Sequence, residues 1–105
     1  MTWPDQLSVI VTAKDIDLGR ARDCKACPVA LAASRAAGAR ASVYGGYIRF
    51  TLEDEKGRIA DGAIYGLPFH IGAAIRRYDM NYDNETLAGP PGQMRPMAFI
   101  APRIA

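Results

Sequence analysis

Two cysteines separated by two residues are the clearest candidates for chemistry in this chain, and they lie in the stretch DCKACPVALAASRAAG, residues 23–38. The spacing is typical of a redox pair or of half a zinc site, because a helix N-terminus stabilises a thiolate. A redox pair needs its first cysteine at the helix start, whereas Pro28 predicts a helix that begins after Cys27. A zinc site takes Cys24 and Cys27 together with His70, the single histidine, as ligands. The simplest interpretation is a small buried thiol at Cys27 and no cofactor, with a zinc-stabilised or a thiol-active small protein as the alternatives.

The second candidate is the aromatic stretch YGGYIRF, residues 44–50. Its last residues resemble the aromatic strand motif of RRM domains, in which exposed rings stack on the bases of single-stranded RNA. The earlier positions depart from that motif, since Val43 stands where a lysine or arginine is expected. Ordinary cross-strand packing explains Tyr47 and Phe50 at least as well. Nucleic-acid binding is therefore an alternative function, with Tyr44 and Tyr47 as the stacking side chains.

Basic residues are concentrated around these two motifs. The chain of 105 residues carries a net charge of only +2, which is low for a nucleic-acid-binding domain. Between residues 18 and 52, however, six basic side chains face a single acid, Asp23, and give a local charge of +5. Arginine, the commonest of these, makes bidentate contacts with phosphates and carboxylates. The predicted binding residues of this segment are Arg20, Arg22, Lys25, Arg40, Tyr44, Tyr47 and Arg49.

The hydrophobic pattern predicts alternating strands and helices. Short β-branched or alternating runs predict strands, and apolar residues three and four positions apart predict helices. Thr12 or Asp15 can cap a short helical turn that Gly19 ends in a left-handed conformation, and Pro28 and Gly38 bound the first long helix. The predicted strands cover residues 8–12, 41–44, 47–53, 58–65 and 94–100, and the predicted helical segments cover residues 13–18, 28–37 and 67–78.

This order predicts an α+β domain with about four strands in a mainly antiparallel sheet and two main helices on one face. The order also resembles the ferredoxin-like βαββαβ arrangement. Gly62 is expected at a bulge in the strand 58–65, and residues 81–93 have the composition of a turn-rich loop. A chain of this length buries one core, so residues 1–105 are expected to form a single domain.

Three segments resemble small uncharacterised proteins of tailed bacteriophages, prophages and actinobacterial genomes, namely VTAKDIDLGR, CPVALAASRAAG and LPFHIGAAIRRYD. The resemblance implies a small phage or mobile-element protein, a group in which host-directed inhibitors and other binding proteins are common. It brings no catalytic residues with it. Five tyrosines, one tryptophan and the arginine-rich basic residues are side chains that carry binding energy at interfaces. We therefore expect a non-enzymatic protein that binds a host protein or nucleoprotein complex, for example as an inhibitor of a host defence complex.

The sequence predicts no membrane segment. Its apolar runs are far shorter than the ~20 residues that cross a bilayer, and its first residues lack the pattern of a secretory signal. We expect a cytoplasmic protein with free thiols. A homodimer is compatible with the sequence.

Overall fold

The computed structural model describes residues 2–82 and 94–105, which form five strands and three helices. Every strand pair among them is antiparallel. The elements in chain order are β1 (Gln6–Val11), α1 (Ala13–Leu18), α2 (Pro28–Ala37), β2 (Arg40–Val43), β3 (Tyr47–Glu53), β4 (Ile59–Gly66), α3 (Phe69–Tyr82) and β5 (Met97–Pro102).

The strands form two sheets that meet at the residues after β5. β1 pairs with β5, and β2, β3 and β4 form a three-stranded sheet. Arg103 forms a bridge with Tyr65 of β4, and the amides of Ile104 and Ala105 both donate to the carbonyl of Ile64. The spatial order is therefore β1, β5, β4, β3, β2, with β1 and β2 outermost.

Alternation of apolar and polar residues gives each sheet one buried face. In β1 the side chains of Leu7, Val9 and Val11 are buried, whereas those between them are exposed. We call the buried side of the sheets the inner face and the opposite side the outer face. The inner faces of both sheets and one face of α2 contribute to a single hydrophobic core.

Aromatic side chains join the segment before β1 to the three-stranded sheet within this core. Phe50 of β3 lies between Trp3 and Tyr65, whose ring centroids are 5.7 and 5.5 Å from its own. The Trp3 indole donates to Asp61 of β4 at 3.0 Å, and the Tyr65 hydroxyl donates to the carbonyl of Pro4. These contacts fix the segment before β1 to the three-stranded sheet.

A capping box begins α1 and contains Asp15, which is buried. The Thr12 hydroxyl accepts from the amide of Asp15, and the Asp15 carboxylate accepts from the amide of Thr12 at 2.9 Å. Arg35 of α2 donates two hydrogen bonds to the same carboxylate, at 2.7 and 2.8 Å. Hydrogen bonds from Arg35 are the largest influence on this carboxyl, outweigh the opposing effect of burial, and with those from Thr12 hold the pKa of Asp15 at about 2. The pair ties α1 to α2.

The predicted signals at both ends of α2 are confirmed. Pro28 occupies the first turn, and Gly38 ends the helix in the left-handed conformation, with φ of 66°. Buried alanines on this helix, such as Ala32 and Ala33, let it pack closely against β1 and β2.

The outer edge of β2 is sealed by neighbouring elements. The amide of Ala41 donates to the Ser34 hydroxyl of α2 at 3.0 Å. The amide of Val43 donates to the carbonyl of Cys24, in the loop before α2, at 2.8 Å. Because these two amides point away from β3, both of the outward donors of β2 within this edge are occupied.

α3 packs against the loop that precedes α2. Tyr78 is buried, and its hydroxyl donates to the carbonyl of Gly19 at 3.3 Å. Asp79 accepts from the amide of Arg22 at 2.8 Å. Arg22 has φ of 59°, a left-handed conformation that is uncommon outside glycine. The contact with α3 therefore holds this loop in a shape that the loop residues alone would not favour.

The predicted α+β class and antiparallel sheet are confirmed, with five strands in place of about four. The ferredoxin-like order is wrong for this chain. In that arrangement the first strand lies inside the sheet, between the last and the third strand, whereas β1 here is outermost and pairs, among the described strands, with β5 alone. The difference arises at β5, which lies between β1 and β4 because residues 103–105 pair with β4.

Two glycines have roles other than those predicted. Gly19 has φ of −68° and is therefore not left-handed, but a Cβ there would lie 2.6 Å from the ring of Pro28. The bulge lies near the end of β3 and not at Gly62, where a Cβ would lie 2.7 Å from the carbonyl oxygen of Phe50. Close approach of another part of the chain, and not φ, requires glycine at both positions.

Element boundaries differ from the predictions at the C-terminal side. α3 continues to Tyr82, so it includes the first two residues of the predicted loop 81–93, and the rest of that loop lies outside the described residues. The last strand begins at Met97 and not at residue 94, because Pro96 has no amide to donate to a ladder.

Candidate functional site

The Cys-x-x-Cys motif lies in the loop before α2, and its second cysteine caps that helix. The Cys27 sulfur accepts from the amide of Ala30 at 3.4 Å. Cys27 is 3% exposed and Cys24 is half-buried, and both are free thiols. Burial raises the pKa of Cys27 to about 11, outweighing the opposite effect of the amides of Ala30 and Val29. At neutral pH Cys27 is therefore a protonated, packed thiol, which agrees with the buried-thiol interpretation and not with a reactive thiolate.

The structure does not bring the three predicted metal ligands together. Cys24 and Cys27 border an open pocket of about 230 Å³ that Arg22 and Asp79 also line. His70 is exposed and lines a different pocket, of about 350 Å³. Within residues 2–82 and 94–105, no group of three or more histidine, cysteine, aspartate or glutamate side chains is placed to hold a metal ion. Zinc binding by Cys24 and Cys27 thus stays a prediction, but His70 does not lie near them as a third ligand.

Four of the predicted binding residues do lie together, on the outer face of β2 and β3. Tyr44 and Tyr47 are exposed and stack on each other, with ring centroids 4.9 Å apart and planes inclined by 29°. Arg49 follows Tyr47 by two residues and therefore points to the same face. Arg40 lies farther along β2, with its guanidinium 4.0 Å from the carboxylate of Glu53. We call these four residues the tyrosine–arginine cluster.

The remaining basic residues of the segment lie elsewhere. Arg20, Arg22 and Lys25 belong to the loop that runs beside the edge of β2 and against α3. Arg35 is committed to Asp15 on the other side of α2. The positive charge of residues 18–52 is therefore divided between the outer face of β2 and β3, the loop before α2 and the ion pair of Arg35.

The larger part of the outer face is apolar. Ile10 and Ile100 are 61% and 56% exposed. Ile100 pairs directly with Ser8, so the two isoleucines lie on the same face at diagonal positions of the β1–β5 pair. Large apolar side chains thus project into solvent from both strands.

This apolar surface continues across the junction between the sheets. A Cβ at Gly66 would lie 3.6 Å from the Pro102 ring and 3.7 Å from the Ile104 side chain, which is 62% exposed. Gly66 pairs with Tyr47, so the surface reaches the tyrosine–arginine cluster. We call it the uncharged patch, because the outward positions of three strands carry no charged side chain. These positions are Gln6, Ser8 and Ile10 of β1, Ala98, Ile100 and Pro102 of β5, and Ala60, Gly62, Ile64 and Gly66 of β4.

The uncharged patch was not among the residues predicted from the sequence. The sequence does contain a sign of this patch. Ile10 and Ile100 directly follow the buried Val9 and Phe99, so they occupy outward-facing strand positions, and such positions usually carry a polar side chain. The sequence does not show that β1 and β5 are neighbours, however, so the two isoleucines could not be assigned to one surface.

Comparisons of the chain with protein-family models, with curated proteins and with solved structures found no match. Among the described helices, none combines the length and the apolar composition that a membrane crossing takes. The surface chemistry of the chain itself is therefore what points to a function.

Proposed function

We propose that this protein is a non-enzymatic interaction protein that docks on another protein through the uncharged patch. The observation that carries the proposal is the lack of any charged side chain at the outward positions of β1, β5 and β4. A sheet face that meets only water is usually polar, whereas a contiguous exposed apolar surface marks an interaction site.

The surroundings of the patch fit the anatomy of a protein interface. Such interfaces have an apolar centre, aromatic and arginine side chains that contribute much of the energy, and a polar rim. Here isoleucines form the centre, and Tyr44, Tyr47 and Arg49 lie at one border. The complementary partner surface is therefore apolar at its centre and acidic opposite Arg49. A host protein, for example a component of a defence complex, is the partner that we propose.

Binding experiments with matched variants test this proposal. Wild-type protein, Ile100→Asp and Phe69→Asp are immobilised and exposed to nuclease-treated host lysate, and any captured protein is then purified and titrated by calorimetry. Phe69 is more exposed than the patch isoleucines, at 84%, and lies on α3, so it is the control. A partner should bind the wild type and Phe69→Asp equally and bind Ile100→Asp at least about tenfold more weakly, because the aspartate is buried without a counter-charge. Equal binding by all three proteins, or capture of no protein, would contradict the proposal.

A second candidate function is single-stranded nucleic-acid binding by the tyrosine–arginine cluster. The observation in its favour is that Tyr44 and Tyr47 are exposed with Arg49 beside them on one sheet face, as in stacking platforms for bases. Fluorescence anisotropy of a labelled oligonucleotide across a salt series tests it. Joint replacement of Arg40 and Arg49 by alanine should flatten the log–log salt slope by about 1 to 1.5, whereas Tyr47→Ala should weaken binding without changing the slope. No measurable binding at low salt would remove this candidate.

A further inference from the structure

The backbone of β1 presents hydrogen-bonding groups along an edge that faces away from β5. The amide of Arg103 donates to the carbonyl of Asp5 at 2.8 Å, which makes this a hydrogen-bonded position of the antiparallel pair. Such positions alternate along a strand, so the odd-numbered residues of β1 bond to β5. The amides and carbonyls of its even-numbered residues therefore point to the outer edge. These are Gln6, Ser8 and Ile10.

This edge lacks the features by which sheet edges are usually protected. β1 is six residues long and contains no proline, lysine or arginine, and its pairing with β5 has no bulge. Among the described residues, its strand partner is β5 alone. At the other end of the strand order, by contrast, Ser34 and Cys24 occupy the outward amides of β2. Both outward amides of β2 are thus bonded, whereas along β1 only the outward carbonyl of Ile10 is bonded, to Arg35, and the outward amides have no bond to a described residue.

We infer that two copies of this chain pair through their β1 edges as an antiparallel dimer with its two-fold axis at Ser8. In this register Ser8 lies opposite Ser8 of the second copy, and Gln6 lies opposite Ile10 of the second copy. Each of these pairs consists of edge-facing residues, so each can exchange two backbone hydrogen bonds. The side chains involved are uncharged, and no like charges oppose each other.

Charge complementarity at the ends of β1 favours a second copy as the partner. Arg35 donates to the carbonyl of Ile10 at 2.9 Å and so lies at the open edge. A carbonyl oxygen has two lone pairs and can also accept from Gln6 of the second copy. The exposed Asp5 of that copy then lies next to this position, so an acidic residue approaches Arg35 from across the axis.

The same geometry limits the assembly to two chains. A two-fold pairing uses the same edge on both copies, and growth beyond the dimer would require another strand to add at β2. That edge is sealed in each copy. The dimer joins the outer faces of both copies into one surface. The inference of a dimer does not depend on the binding partner proposed above.

Analytical ultracentrifugation of the purified protein over a concentration series tests the inference. The wild type should show a reversible monomer–dimer equilibrium. Ser8→Pro removes an edge-facing amide and leaves the β1–β5 hydrogen bonds intact, so it should raise the dimer dissociation constant at least about tenfold. Ser8→Val, which keeps the amide, should dimerise like the wild type. A wild type that stays monomeric at all concentrations, or equal dimerisation of the Pro and Val variants, would overturn the inference.

A charge exchange at the same residue tests the position of the axis without altering the backbone. The Ser8 side chain is exposed on the outer face, so both Ser8→Lys and Ser8→Glu should fold. Each variant alone places like charges opposite each other across the axis and should dimerise several-fold more weakly than the wild type. An equimolar mixture should restore dimerisation, because lysine then faces glutamate. Single variants that dimerise as tightly as the wild type, or a mixture that dimerises as weakly as each variant alone, would place the contact elsewhere and refute this pairing.

Discussion

At the scale of single residues, the ion pair of Asp15 and Arg35 is the contact whose contribution can be followed with pH. Asp15 is 4% exposed, and its pKa is lowered from the ordinary 3.8 to about 2. Because the folded-state pKa is the lower one, the stabilisation is fully present above the ordinary value. It is lost as the pH falls through the folded-state value.

We predict that Asp15→Asn lowers the free energy of unfolding at neutral pH by about 2 kcal/mol, the amount that corresponds to the lowered pKa. The difference between wild type and variant should shrink as the pH approaches about 2, because the wild-type carboxylate is then protonated too. Urea unfolding at several pH values measures this. Asp17→Asn, at an exposed position of the same helix, is the control and should leave stability nearly unchanged. A difference that stays constant down to acid pH would contradict the assignment.

The sequence predicted part of this contact. A threonine or aspartate was expected to cap the first helical turn, and both Thr12 and Asp15 take part in the capping box. Its partner Arg35 was not predicted, because the sequence shows Arg35 only as one of the basic residues counted between residues 18 and 52. Only the packing of α1 on α2 shows that its charge is used inside the molecule.

At the scale of elements, the junction between α1 and α2 requires a glycine, because a side chain at that position would not fit. Gly19 follows α1 with φ of −68°, which any residue can adopt, but its missing Cβ leaves room for Pro28 at the start of α2. The prediction located this glycine correctly and gave the wrong reason. Helix-end patterns report local conformation, whereas this requirement comes from a residue nine positions later.

We predict that Gly19→Ala destabilises the protein by about 1–3 kcal/mol, because the new Cβ would lie 2.6 Å from the ring of the buried Pro28. Gly45→Ala is the matched control. A Cβ there meets nothing within 4 Å, and its effect should stay within about 0.5 kcal/mol. Thermal and urea unfolding of the three proteins measure the differences. Equal stability of the two variants would show that the junction can relax.

At the scale of the whole molecule, aromatic contacts join the segment before β1 to the three-stranded sheet. Trp3, the single tryptophan, packs on Phe50 and donates to Asp61, so its fluorescence reports on the contact between the segment before β1 and the three-stranded sheet. We predict that unfolding curves from this fluorescence and from far-ultraviolet circular dichroism superimpose. Tyr65→Phe should lower the free energy of unfolding by about 1 kcal/mol, through loss of its bond to Pro4, and keep the curves coincident. Separate transitions would show that the sheets unfold independently.

The arrangement of the strands in the whole molecule is the part of the fold that could not be predicted from the sequence. Strand alternation identified the core positions of YIRFTLE, because burial follows directly from the two-residue period. The order of the strands did not follow, since β1 and β5 carry no local signal for each other. The same limit applied to the candidate site. Tyr44 and Tyr47 were predicted from a motif, whereas Ile10 and Ile100 form one surface only when β1 is paired with β5.

The pairing of β1 with β5 has a consequence for how the protein is made. Residues 12–96 separate the two strands, whereas β2, β3 and β4 follow one another closely. Translation therefore delivers the three strands of the local sheet before β5, and we expect the non-local β1–β5 pair to form last. During that interval Leu7, Val9 and Val11 form a nascent apolar strand that has nothing to pair with on β5's side. We therefore expect the β1–β5 pair to form only after β5 has been synthesised, and later than the three-stranded sheet.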